Sequence, residues 1–166
     1  MKYLAHYPAN IRQQAEQLLH TQQTTDWFLQ KYPNAHTHRS DRALYEFTLA
    51  LKERYLRSSA PISRVHYDDQ LHVVDHALGM HRFVSRVQGK KLKAKHEIRI
   101  CRLFRQVPEA FLTMIVVHEL AHLREKEHNK AFYKLCCYME PEYHQLEFEC
   151  RLYLCHLEQF GALWQA

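Results

Sequence analysis

The sequence predicts an α+β fold, in which N-terminal helices precede a small, mostly antiparallel sheet and a later helix packs across that sheet. Apolar residues recur at steps of three and four over most of the first 60 residues, which indicates amphipathic helices. Residues 62–101 alternate between apolar and polar, as strands with one buried face do. Residues 111–117 form an almost uninterrupted apolar run, typical of a buried helix. A sheet covered by helices accounts for all three patterns.

Length and composition favour one domain. A chain of 166 residues, 46% of them hydrophobic, can bury one substantial core. We therefore expect a single domain over residues 1–166, with a helical region over 1–60 and the sheet with its helices over 61–166. No apolar run has the length of a membrane span, and the N-terminus lacks the apolar segment of a signal peptide. We expect a cytoplasmic protein with no membrane partner.

The five cysteines favour a reducing compartment. They are odd in number and lack CxxC spacing, which does not suit a disulfide framework. We expect buried structural thiols at Cys101, Cys136, Cys137, Cys150 and Cys155.

Three helices are expected before the sheet. The first covers residues 10–20, and the second covers about 25–32 and is stopped by Pro33. Ser40 is a suitable N-cap for a third helix that runs to about residue 57. His36 and His38 lie between the last two helices, and with no third ligand beside them we expect a solvated or hydrogen-bonded pair.

Two hairpins are expected in the sheet. Residues 62–67 alternate and are followed by an apolar pattern at 71–74, which predicts the first hairpin. Residues 82–88 and 92–101 predict the second, joined around Gly89. The last strand has two distinct faces. One carries Leu92, Ala94, His96, Ile98 and Ile100, and the other carries Lys91, Lys93, Lys95, Glu97 and Arg99.

The motif with the clearest chemistry is H-E-x-x-H, at the end of the apolar helix that Pro108 begins. An α-helix turns roughly 100° per residue, so His118 and His122 lie one turn apart on the same side and can bind one Zn²⁺. Glu119 lies on the same helix and can act as general base for a metal-bound water. The sequence therefore predicts a catalytic metal site.

A catalytic zinc site usually has three protein ligands, and His128 is the candidate for the third. In a continuous helix, six residues beyond His122 would place His128 on roughly the opposite side. If His128 is a ligand, the helix must end near Lys126 and the chain must fold back. Metzincins have a glycine where this chain has Glu125, which argues against a metzincin.

The segment HELAHLREKEHNKAFY resembles the zinc motif of the YgjP-like metallopeptidase family, related to the WLM and SprT-like proteases. The resemblance extends over nearly the whole chain, including SRVQGKKLKAKHEIRI and the cysteine pair before MEP. It implies a zincin-like fold of the minigluzincin type. It also implies that His118, His122 and His128 bind zinc, with another divalent metal as the alternative, and that Glu119 is catalytic.

Two helices are expected after the motif. Asn129 can cap a helix through about residue 138, and Pro141 starts the last helix. The apolar face of that helix comprises Tyr143, Leu146, Cys150, Tyr153 and Leu157, before Gly161. We expect its acids, Glu142, Glu147 and Glu149, to be solvated or paired. His144 is a weaker candidate for the metal neighbourhood.

Basic residues are concentrated just before the active helix. Residues 81–105 contain nine Lys or Arg and one acid, a net of +8, whereas the whole chain carries +5, so the remainder is −3. In zincin folds the strand before the active helix is commonly the edge strand along the substrate. The candidate substrate-binding residues are therefore Lys91, Lys93, Lys95 and Arg99. A solvated edge protected from aggregation is the alternative.

Three functions follow from these features. The first is a zinc-dependent, metallopeptidase-like hydrolase that acts on a peptide, with Glu119 as general base. The second is a metal-dependent nucleoside triphosphate pyrophosphatase or phosphohydrolase, because phosphates favour Lys and Arg. The third is a nucleic-acid-binding module that uses the basic strand. The physiological substrate, the metal in the cell and the oligomeric state stay open.

Overall fold

A computed structural model describes residues 1–71, 85–88 and 93–165, with side chains omitted for 85–88 and 93–95. The described residues form helices and strands in an α+β arrangement. The helices are α1 (Ala9–His20), α2 (Thr24–Lys31), α3 (Asp41–Tyr55), α4 (Glu109–Ala121), α5 (Lys130–Met139) and α6 (Tyr143–Phe160). The strands are β1 (Ile62–Asp68), β2 (Ser85–Gln88) and β3 (Lys93–Cys101), and short 3₁₀ helices cover Lys2–Leu4 and Arg102–Gln106.

The three N-terminal helices confirm the predicted ones to within two residues at each boundary. The Ser40 hydroxyl accepts a hydrogen bond from the Ala43 amide at 3.1 Å, which is the expected N-cap of α3. Helix α3 packs on β1, and the Asp41 carboxylate accepts a hydrogen bond from the Tyr67 amide at 3.0 Å. Helix α3 is therefore fixed to the sheet by a side-chain hydrogen bond as well as by packing.

The sheet is mixed, so the prediction of a mostly antiparallel sheet was wrong. Its strand order is β1-β3-β2, and β1 pairs with β3 in parallel from Ile62↔His96 to Asp68↔Cys101. Strand β2 pairs with β3 antiparallel, as predicted. Residues 72–74 in the second strand of the first predicted hairpin lie outside the described residues, so that hairpin stays a prediction. A parallel pair needs a connection of a dozen or more residues, and the chain between β1 and β3 is long enough.

Strand β3 occupies the centre of the described sheet, with a strand on either side. The expectation that the strand before the active helix forms the sheet edge was therefore wrong. The side chains of Ile98 and Ile100 are buried on the same side as Val65 and Tyr67 of β1. This face contributes to the apolar core that α4 completes.

Helix α4 is buried on nearly all sides. Its apolar residues from Phe111 to Leu120 are buried, as is expected of a helix that is hydrophobic all round. Helices α5 and α6 pack against it. His118 and Glu119 are also buried, and burial of such polar groups is costly unless they have partners. Helix α4 therefore carries the polar groups whose contacts define the candidate site.

All five cysteines are free thiols, and four of them are buried. This agrees with the expectation of structural thiols. None of the described helices has both the length and the apolar character needed to cross a membrane.

Candidate metal centre

Three imidazoles converge at the C-terminal end of α4. The Nε2 atoms of His122 and His128 are 3.1 Å apart, and the Nε2 atoms of His128 and His118 are 3.3 Å apart. One ligand atom from each of the three residues lies within 4.8 Å of the others. His118 and His122 are buried, whereas His128 is half-buried, so the group opens toward solvent on the side of the third histidine.

The chain reaches this arrangement because α4 ends earlier than predicted. The helix ends at Ala121 instead of near Lys126, and a turn follows immediately. The amides of Arg124 and Glu125 both donate to the Ala121 carbonyl, at 3.1 and 3.0 Å, which tightens the last turn. The chain then folds back so that His128 faces the two helical histidines, as the prediction of a third ligand required.

The hydrogen bonds around His122 determine where its proton lies. Its Nδ1 is 2.9 Å from the backbone carbonyl of Glu125. A carbonyl oxygen only accepts, so Nδ1 must carry the proton, and in a neutral ring Nε2 presents a lone pair toward the other two imidazoles. Several imidazole nitrogens directed at one point are the donor set that Zn²⁺ and other borderline divalent metals prefer. The residues therefore fit a bound divalent metal.

An aromatic ring supports all three histidines from one side. The Phe132 ring centroid is 4.9 Å from that of His118, 4.6 Å from that of His122 and 4.9 Å from that of His128. Phe132 is fully buried in the first turn of α5, where its amide donates to the Asn129 side chain at 2.9 Å. This bond is the predicted N-cap of α5, and it fixes the ring that limits rotation of the imidazoles.

His118 has a side-chain partner, Tyr143, that the sequence pattern placed only on the apolar face of the last helix. Its Nδ1 is 2.8 Å from the hydroxyl of Tyr143, at the start of α6. Tyr143 is fully buried, and burial raises the pKa of its hydroxyl. A tyrosine among the apolar residues of a helix looks like core in the sequence, so its contact with the motif could not be read from spacing alone.

Glu119 is buried next to His118 on α4. Its place on the motif helix is the one predicted for a general base. A carboxylate in a site shielded from bulk water is able to take a proton from a polarised water molecule.

The candidate substrate-binding residues are described only in part. Lys91 lies outside the described residues, and only the backbone of Lys93 and Lys95 is described, paired with Gln88 and Arg86 of β2. The Arg99 guanidinium forms an ion pair with the Asp68 carboxylate of β1. Arg99 is thus engaged within the sheet.

The charge of Asp68 is held by these contacts. Burial alone would raise the pKa of Asp68, but hydrogen bonds from the Gln70 amide and from Arg99 outweigh that effect and lower it. Asp68 therefore stays ionised beside Arg99.

The remaining histidine candidates lie apart from the three converging imidazoles. His144 is exposed, and its ring contacts Tyr133 and Tyr143. His36 is buried, with Nε2 donating to the Phe104 carbonyl at 2.7 Å and Nδ1 accepting from the His38 amide at 3.0 Å. The predicted hydrogen-bonded state of His36 is confirmed.

Two comparisons bear on this site. A family model described as YgjP-like, metallopeptidase domain, matches residues 5–149, which include the three histidines and Glu119. The chain is also 54% identical over 157 residues to a protein from Escherichia coli (strain K12) named UTP pyrophosphatase, covering 95% of this chain and 94% of that protein. No solved structure matches the chain significantly.

Proposed function

The chain belongs to the YgjP-like family and is a hydrolase, and from this premise we propose that it is a metal-dependent pyrophosphatase of nucleoside triphosphates, with UTP as the first candidate substrate. The observation that supports the metal site is the convergence of three imidazole Nε2 atoms beside a buried glutamate. The substrate class is supported by the 54% identity to the UTP pyrophosphatase. The basic character of residues 81–105 suits a polyanionic substrate.

His118, His122 and His128 would hold the metal, and zinc is the ion we expect for three imidazole ligands. When bound, the metal would polarise a phosphoryl oxygen and lower the pKa of a water molecule toward neutrality. The protein's contribution is to fix the rings, through contacts with Phe132 and through hydrogen bonds at the Nδ1 atoms of His118 and His122.

Glu119 would accept the proton that water loses as it attacks a phosphorus atom of the substrate. The reaction hydrolyses the bond between the α- and β-phosphates and releases a nucleoside monophosphate and pyrophosphate. Burial of Glu119 keeps bulk water from competing for that proton.

Peptide hydrolysis is the second candidate, because the matching family model is described as a metallopeptidase domain. The same arrangement of three histidines and Glu119 is suited to attack on a scissile carbonyl. The two candidate functions use the same three histidines and Glu119, and they differ in how the substrate is bound. Nucleic-acid binding by the basic strand is a third possibility, and it needs neither the metal nor Glu119.

The test is a substrate screen with purified, zinc-loaded protein. We expect pyrophosphate release from UTP that requires metal and is lost in Glu119→Gln. Glu109→Gln is the matched control, because Glu109 is an exposed acid at the start of the same helix. Peptide cleavage without hydrolysis of any nucleoside triphosphate would overturn the nucleotide assignment. If the protein hydrolyses neither substrate class but binds DNA in a salt-dependent way that metal removal does not change, nucleic-acid binding would be the favoured function.

A further inference from the structure

We propose that Tyr143 positions the ligand His118 by accepting a hydrogen bond from its Nδ1, at the end of a row on α6 that Glu147 and Arg151 continue. Tyr143 would then be a positioning residue of the metal site, although it does not contact the substrate. This inference rests on the proposed metal-binding function. It assigns a role to one face of α6, where the sequence predicts only apolar core residues and solvated or paired acids.

The spacing of the three residues places them in one row. They stand at steps of four along α6, so their side chains lie one above another on the same side of the helix. Tyr143 and Glu147 are buried, and Arg151 is largely buried. Helix α6 packs against α4, and the first member of the row reaches His118 at 2.8 Å.

The direction of the hydrogen bonds follows from what each group can donate. The Tyr143 hydroxyl lies 2.8 Å from His118 Nδ1, and a neutral imidazole that binds a metal through Nε2 carries its proton on Nδ1. The hydroxyl oxygen of Tyr143 has lone pairs that can accept this hydrogen bond. The Nδ1 atom of His118 must then be the donor, which leaves the Nε2 lone pair directed at the metal site.

A buried carboxylate needs a compensating charge, and Arg151 supplies it. The Arg151 Nε atom is 3.3 Å from the Glu147 carboxylate. The same guanidinium donates through Nη1 to the backbone carbonyl of Tyr3 at 3.1 Å. The row is therefore anchored at its far end to the 3₁₀ helix Lys2–Leu4, near the N-terminus.

The two helical ligands thus receive different supports for the same purpose. His122 donates to the backbone carbonyl of Glu125, whereas His118 would donate to the side-chain hydroxyl oxygen of Tyr143. Acceptors of this kind orient a ligand imidazole and raise its basicity, and their loss typically lowers metal affinity by about 10–100-fold. A role limited to core packing would change the stability of the metal-free protein and leave the metal affinity unchanged.

The first test compares two tyrosine substitutions on the same helix. Tyr143→Phe removes the acceptor for His118, and we expect zinc affinity, measured by competition with a chelator, to fall by about 10–100-fold. Tyr153→Phe is the matched control, because Tyr153 is also buried on α6 but its hydroxyl accepts from the Leu163 amide. We expect it to bind zinc as the unaltered protein does.

The second test needs no substitution. Long-range ¹⁵N–¹H spectra of histidine-labelled, metal-free protein at about pH 8, where neutral imidazole dominates, report the tautomer of each ring. We expect the Nδ1–H form at His118, and a loss of that preference in Tyr143→Phe. The Nε2–H form at His118 in the unaltered protein would overturn the proposal.

The outcomes separate this inference from the function on which it rests. Equal zinc affinity of Tyr143→Phe and the unaltered protein would overturn the positioning role and leave the metal site intact. If the unaltered protein binds no divalent metal, the proposed function fails together with the inference. Glu147→Gln leaves the Tyr143 hydroxyl in place, so we expect a smaller loss of affinity than in Tyr143→Phe.

Discussion

Replacing His128 with Ala should weaken metal binding by more than about 100-fold. Loss of a group that only hydrogen-bonds to a ligand already lowers metal affinity by about 10–100-fold, and His128 would be a ligand itself. His128 contributes one of three converging nitrogens, at 3.1 and 3.3 Å from the other two. With free zinc at 1,000 times the original Kd, binding adds about 4.1 kcal/mol to the free energy of unfolding. A 100-fold weaker site would add about 1.4 kcal/mol at that concentration.

The difference of about 2.7 kcal/mol can be read as a shift in Tm. Unfolding of 166 residues has an entropy of about 0.35 kcal/mol/K, so Tm in the presence of zinc should fall by about 8 °C. The assay is thermal unfolding in a zinc buffer and again with chelator. His144→Ala is the control, since His144 is exposed and lies apart from the converging nitrogens. If His128→Ala keeps the full zinc-dependent rise in Tm, the third ligand lies elsewhere and the reasoning is refuted.

Three further predictions concern catalysis, acid stability and substrate charge. Glu119→Gln should lower kcat by about 10²–10⁴-fold with zinc content unchanged, and equal loss of zinc would refute its role as a base. Burial lowers the pKa of His36 in the folded protein. As pH falls, His36 is therefore protonated in the unfolded chain before it is protonated in the folded one, and the free energy of unfolding should decrease below about pH 6.5. His36→Gln should flatten that part of a plot of unfolding free energy, from urea titration, against pH, and an unchanged slope would contradict this. Replacing Lys93 and Lys95 with Gln should raise KM for UTP more than it lowers kcat, with added salt mimicking the change. An unchanged KM and salt dependence would mean that these lysines form only a solvated face.

The helices could be predicted because their ends are marked by local chemistry. Ser40 and Asn129 cap their helices through bonds to amides three residues later, and Pro108 stands just before α4. The direction of strand pairing had no such mark, because alternation with a period of two is the same in parallel and antiparallel strands. The sequence thus identified the apolar face at Ile98 and Ile100 but not the parallel partner of β3.

The site could be predicted in the part that depends on helical spacing. His118 and His122 face the same point because they stand one turn apart, with His122 as the residue that caps the C-terminal end of α4. Tyr143 was missed as a partner because its contact with His118 depends on how α6 packs against α4, which no local pattern encodes. The same dependence on tertiary packing applies to Phe132, which the sequence shows only as an aromatic residue in α5.

The turn between His122 and His128 shows why a glycine is unnecessary there. Among the described residues, positive φ angles occur at Gln22 and Gly161, so Glu125 has a backbone conformation open to any L-residue. The turn is closed instead by amides that share the Ala121 carbonyl and by the His122 imidazole, which donates to the Glu125 carbonyl. The imidazole bond spans the turn that returns His128, and it also fixes the His122 proton on Nδ1, away from the other two histidines. That bond uses a backbone carbonyl and could form with any side chain at position 125, and the Glu125 carboxylate adds a contact of its own by accepting from the Asn129 side-chain amide at 3.4 Å.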